Sequence, residues 1–188
     1  MGSIVQSMAP CSCKIRRSPC LSTIIFQAMS SRIISFAGFI TCFALIAIAL
    51  YFQHIEGLDP CPLCIFQRVA FIVMGLVFLV CFLHNPRRLG QRIYGLLAIL
   101  SGLSGAAIAG RHVWLQNLPE DQVPECGPSL EFMLDAFPLV QVLETVLKGS
   151  GECAEVSWTL LAISMPGWSL IWLVLLTLLS LRLVFPRP

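Results

Sequence analysis

Residues 59–68 read Asp59-Pro60-Cys61-Pro62-Leu63-Cys64-Ile65-Phe66-Gln67-Arg68, and a long apolar run begins at Ile65. Two cysteines at C-x-x-C spacing close a very small loop, which restricts the unfolded chain little. Such a pair suits reversible opening better than stapling. The run that follows predicts a helix with Cys64 in its first turn, where unpaired backbone N–H groups favour a thiolate. Arg68 lies one turn further on the same face and adds a full positive charge. An arginine carried to the bilayer centre costs about 2–3 kcal/mol or more, so its position at the edge of an apolar run calls for a reason. Two readings stay open on these residues. One is an interface arginine snorkelling beside a structural disulfide; the other is a membrane-embedded redox centre.

Working outward, 57% of the 188 residues are hydrophobic and 12% are charged. That is about half the charge of a soluble domain. Four apolar runs have bilayer length or nearly so, at Ile33–Phe52, Ile65–Leu83, Ile93–Gly110 and Trp168–Phe185. The expected fold is an all-α, four-transmembrane-helix bundle with one long outer loop. All ten acidic residues fall in two segments, Glu56 with Asp59 and Glu120 through Glu155. Nine of the twelve basic residues take the opposite side: Lys14, Arg16, Arg17, Arg32, Arg87, Arg88, Arg92, Arg182 and Arg187. The positive-inside rule therefore places both termini in the cytoplasm and both acidic loops outside. The net charge of +2 carries no sign of nucleic-acid binding.

The nine cysteines sort by compartment. Cys61, Cys64, Cys126 and Cys153 fall on the outer side, where disulfides persist. Cys42 and Cys81 sit inside apolar runs as small hydrophobes. Cys11, Cys13 and Cys20 lie near the N-terminus, and none of these five has an evident redox role. Residues 1–28 differ in character from the rest and are read as an upstream extension with a start at Met29. A signal peptide with Leu21–Ala28 as a short apolar core is the alternative. Residues 29–188 form the single transmembrane domain.

The third run is rich in small residues, with Ser101/Gly105 and Gly102/Ala106 four apart. It is expected to be the central helix of the bundle. It closes on Arg111-His112-Val113-Trp114, at the depth of Arg68. His112 is by default an interface histidine, given interest by the nearby thiols and by imidazole's capacity to bond a polar headgroup. In the long outer loop Ser129 is a candidate N-cap. Beyond Pro138 an apolar stripe of Leu139, Val142, Leu143, Val146 and Leu147 predicts a short amphipathic helix at the membrane surface or the bundle mouth. Gly149-Ser150-Gly151 then frees the backbone before Cys153, and a mobile cysteine suits exchange. A plain loop-closing disulfide between Cys126 and Cys153 explains the spacing equally well.

The blocks Phe52-Gln53-His54, Cys61 through Arg68, Gly110 through Gln116, Pro124-Glu125-Cys126-Gly127-Pro128, Gly149 through Glu155, Trp158 and Met165-Pro166-Gly167-Trp168 together resemble the disulfide bond formation protein B (DsbB) family. The resemblance covers about residues 29–185; residues 1–28 have no counterpart in it. It implies an inner-membrane thiol:quinone oxidoreductase that reoxidises a periplasmic DsbA-like dithiol oxidase. It further implies that Cys126 of a Cys126–Cys153 disulfide is attacked by the partner, and that Cys153 passes the electrons to Cys61. Cys64 then faces a bound ubiquinone or menaquinone, with Arg68 holding the charge and His112 helping to hold the quinone. No metal is expected in the site. Three other readings fit less well. A vitamin K epoxide reductase type would share the chemistry but not the motif order. A metal carrier would want further converging ligands. Covalent haem would need histidine where Ile65 stands.

Overall fold

A computed structural model describes residues 21–57, 60–119, 122, 130–149, 151–154 and 158–185. Cys11, Cys13, Cys20, Cys126 and Ser129 lie outside the described residues. Four long helices dominate: α1 (Leu21–His54), α2 (Pro62–His84), α3 (Arg88–Leu115) and α7 (Met165–Val184). Each contains a segment long and apolar enough to cross a membrane. The chain is an all-α, four-span membrane protein.

The helices outrun the apolar runs that announce them. The third run was expected over Ile93–Gly110, whereas α3 occupies Arg88–Leu115. Its 28 residues rise about 42 Å, enough to cross the headgroup layers as well as the hydrocarbon. Hydropathy ends where lipid tails end, but backbone hydrogen bonding continues through the polar turns that carry Arg88 and His112. Among the described residues α1 is helical throughout Leu21–His54.

Packing is arranged around α3, which lies between α2 and α7 in extensive contact with both, while α1 packs on α2 and only lightly on α7. Small residues let the backbones meet. A Cβ at Gly105 would stand 2.7 Å from Ala70 Cβ and 3.0 Å from Leu173 Cδ2. One at Gly102 would collide with Thr177 Oγ1 and Met74 Cε. Met74, Phe78 and Leu173 fill the core, and Cys42 and Cys81 are buried among them, as their apolar settings indicated. Phe43, Leu76, Leu100 and Leu178 point outward and are exposed, as lipid-facing residues should be.

Gly105→Leu is accordingly expected to destabilise the bundle by overpacking, by about 1–3 kcal/mol. Gly110 has open space around it, so Gly110→Leu should change stability by no more than about 0.5 kcal/mol. Thermal unfolding in detergent compares the two, and equal midpoints would refute the close approach at Gly105.

At the end of the bundle where the acidic segments lie, three short helices follow α3: α4 (Leu130–Ala136), α5 (Leu139–Lys148) and α6 (Gly151–Ala154). The amphipathic α5 seats Val142 and Val146 on Leu63 and Leu115, with Met133 and Cys153 in the same cluster. Of the two expected places it takes the bundle mouth, since the ends of α2 and α3 offer an apolar floor there. Gly149 ends α5 at φ +85°, and a Cβ there would strike Leu115. A two-residue-stranded hairpin, β1 (Thr159–Leu160) with β2 (Ile163–Ser164), leads into α7. Its turn residues Leu161 and Ala162 both have positive φ, at 55° and 63°. That matches the twist of a tight hairpin turn but is uncommon without glycine, and no turn signal in the sequence marks it.

Candidate redox site

Cys61 is the N-cap of α2, with extended backbone, and Pro62 follows at the start of the helix. Proline suits that position because its missing N–H has no intrahelical partner there. Cys64 consequently falls in the first turn, as the sequence predicts. Both Cys61 and Cys64 are thiols of intermediate exposure.

His112 projects from the last turn of α3 and is 2% exposed. Its Nε2 lies 3.7 Å from Cys61 Sγ and its Nδ1 3.9 Å from Cys64 Sγ. Nδ1 is also 3.1 Å from the side-chain nitrogen of Gln67, itself buried. The imidazole therefore stands against both thiols, one ring nitrogen to each, with Gln67 fixing its plane.

Cys153 arrives from α6. Its Sγ, the Cys61 Sγ and a ring nitrogen of His112 all lie within 4.8 Å of one another. Cys153 was expected to be mobile beside its glycines, but it is 1% exposed. The glycines serve a close fit instead: Gly149 turns the chain against Leu115, and α6 sets Cys153 into the apolar cluster beneath α5.

On the other side of Cys64 lies a cleft of about 440 Å³ between α1, α2 and α7. The light contact between α1 and α7 leaves this space. Leu45, Ile48 and Ala49 from α1, Phe71 from α2 and Trp168 and Trp172 from α7 give it apolar walls, and Cys64, Gln67 and Arg68 supply its polar edge. Trp158 and Leu160 reach it from the hairpin, with Trp158 packed on Phe52 at 4.8 Å between ring centres. The Trp168 indole N–H donates to the Leu160 carbonyl at 3.2 Å, which ties the hairpin to α7. Arg68 donates to Gln53 Oε1 and, at 3.3 Å, to the Ala49 carbonyl. Its guanidinium thus bridges α2 and α1 on the cleft wall.

Cys61, Cys64, Cys153 and His112 are brought together, and Arg68 joins Cys64 along the cleft. His112 is not among the residues lining the cleft; its ring is buried against the two thiols. Sequence reading assigned no role to Gln67, Gln53 or the hairpin. Gln67 carried a signal, since a buried amide within an apolar run needs a hydrogen-bond partner.

Fold and site together define a class: a four-span membrane protein with a cluster of thiols at the bundle mouth beside an apolar cleft. The chain belongs to the family described as disulfide bond formation protein DsbB, which matches residues 31–183. Disulfide bond formation protein B of Nitrosococcus oceani is 54% identical over 153 residues, covering 81% of this chain and 90% of that protein. That of Marinobacter nauticus is 50% identical over 159 residues, covering 85% and 95%. That of Acinetobacter baylyi is 56% identical over 131 residues, covering 69% and 77%. Family membership makes this a disulfide bond formation protein.

Proposed function

We propose that the chain oxidises a DsbA-like dithiol protein in the periplasm and passes the electrons to a quinone of the bacterial inner membrane. The observation that carries this reading is the position of Cys64. Its partner Cys61 faces Cys153, while Cys64 itself opens with Arg68 onto the apolar cleft.

The cleft fits a quinone. Its volume lies within the roughly 300–1,000 Å³ of small-ligand sites, and its walls are mostly apolar with a few polar groups at one edge. Arg68 would donate to a carbonyl oxygen and the tryptophans would flank the ring. A bound ubiquinone or menaquinone supplies an acceptor for two electrons and two protons.

The chain's own residues carry the electrons there. The partner's thiolate attacks Cys126 of a Cys126–Cys153 disulfide, forming a mixed disulfide and releasing Cys153 as a thiolate. The partner's second thiol resolves the mixed disulfide and leaves oxidised. Cys153 attacks Cys61 of the Cys61–Cys64 disulfide, and the Cys61–Cys64 bond breaks with its electron pair on Cys64. Cys126 then attacks Cys153, re-forming the outer disulfide and releasing Cys61. The partner has lost two electrons and two protons, and the inner pair holds them. The first turn of α2 and Arg68 stabilise the Cys64 thiolate. His112 serves the thiols: with the Gln67 amide nitrogen donating to Nδ1, its Nε2–H faces Cys61 Sγ and steadies that sulfur when it leaves as a thiolate.

Purified chain given a reduced periplasmic dithiol oxidase and a soluble quinone analogue should consume quinone absorbance in step with thiol loss from the partner. Thiol loss without quinone loss would refute the reading. Orientation is tested separately. The chain has two lysines, Lys14 and Lys148. An impermeant amine reagent applied from the periplasmic side should label Lys148 and spare Lys14. The opposite pattern would invert the topology.

A further inference from the structure

We infer that the reduced chain holds a site for a soft divalent cation, Zn²⁺ or Cd²⁺, built from Cys61 Sγ, Cys153 Sγ and His112 Nε2, and that the metal blocks thiol exchange while bound. A C-x-x-C alone lacks converging ligands; the fold supplies two more from α3 and α6. Cys61 Sγ, Cys153 Sγ and a ring nitrogen of His112 lie within 4.8 Å of one another, and the cluster is the one such group among the described residues.

The spacing suits tetrahedral coordination. Metal–sulfur bonds of about 2.3 Å and metal–nitrogen bonds of about 2.0–2.1 Å give ligand–ligand edges of about 3.6–3.8 Å. Cys61 Sγ and His112 Nε2 stand 3.7 Å apart, already at that edge. The opposite ring nitrogen has a buried amide beside it. Gln67 lies 3.1 Å from Nδ1. As placed, the Gln67 side-chain nitrogen donates to Nδ1, so metal binding at Nε2 requires the amide to turn and accept from Nδ1–H through its oxygen. An oriented imidazole of this kind is the usual outer support of a metal-binding histidine. Cys64 lies on the Nδ1 side of the ring and is outside the trio, so the fourth position falls to water or a small anion.

Binding displaces a proton from each of the two thiols and moves no electrons. It requires both sulfurs as thiolates, so oxidation to disulfides removes the site. The metal acts as an inhibitor of the reduced form and is no part of the redox cycle. The inference rests on the geometry of the three ligands and not on the quinone reading.

Its test uses Cd²⁺ alone and reads binding directly, by the sulfur-to-cadmium charge-transfer band and by equilibrium dialysis. The full chain carries Cys11→Ser, Cys13→Ser, Cys20→Ser and Cys126→Ser, which leaves only Cys64 and the core thiols Cys42 and Cys81 besides the two cysteines of the site. The reduced protein should bind one equivalent and the diamide-oxidised protein none. Cys61→Ser, Cys153→Ser and His112→Phe should each weaken binding more than about 100-fold, beyond the range of an outer-support effect, and Gln67→Leu about 10–100-fold. Cys64→Ser should leave affinity within a few-fold. Binding that survives Cys153→Ser, or that falls equally with Cys64→Ser and Cys61→Ser, assigns the metal to the C-x-x-C pair and overturns the inference. So does absence of binding to the reduced chain.

Discussion

Combining Cys126→Ser with Cys153→Ser is expected to abolish oxidation of the protein dithiol, while a small dithiol still drives quinone consumption through Cys61 and Cys64. The two pairs occupy different surroundings. Cys64 lines the cleft and is partly exposed, whereas Cys153 is sealed in the apolar cluster under α5. Serine is close to cysteine in shape, so α6 should stay seated on Leu63 and Leu115 and the inner pair should keep its geometry. Replacing either Cys61 or Cys64 by serine should stop both reactions, because exchange needs the resolving thiol as well as the attacking one. Quinone absorbance followed with each reductant in turn decides the division of labour. A double loop variant that oxidises the protein partner at near-normal rate would break the relay order. Quinone reduction by Cys64→Ser with a small dithiol would break it equally.

Arg68→Ala should raise the KM for quinone by tenfold or more. Hydrogen bonds from a charged donor are worth about 1.5–3 kcal/mol, which corresponds to about 10–150-fold. The side chain has two contributions to lose. It stands on the cleft wall beside Cys64, and it ties α2 to α1 through Gln53 and the Ala49 carbonyl. Arg68→Lys should restore part of the affinity, since an ammonium keeps the charge but lacks the planar fork that reaches both α1 acceptors and the cleft. Gln53→Ala separates the two contributions by loosening the tie while leaving the charge in place, so its KM should rise less than that of Arg68→Ala. Single-turnover exchange between the protein partner and the loop cysteines, run without quinone, should be unaffected by any of the three. Unchanged kinetics at limiting quinone in Arg68→Ala would make the residue an interface anchor only.

Short-range rules make part of this arrangement legible in the chain. Apolar runs of bilayer length imply four spans, because no other cheap arrangement hides the backbone polar groups of such segments in lipid. Helical spacing alone places Cys64 in the first turn of α2 and Arg68 four residues on. Small residues four apart in the third run, Ser101/Gly105 and Gly102/Ala106, foretell a helix that its neighbours approach closely, and Gly102 and Gly105 are where α2 and α7 do so. Which distant groups meet depends on how the helices dock. Cys61, His112 and Cys153 come from three elements spread over more than ninety residues, and no local periodicity relates them. The burial of Cys153 depends on α5 finding an apolar floor made by α2 and α3 together. The cleft exists because α1 and α7 touch only lightly, a property of the bundle and of no single helix. His112 illustrates the division: its place at the end of α3 was legible from hydropathy. Its turn toward the thiols, with Gln67 behind it, was settled by the docking of α3 on α2.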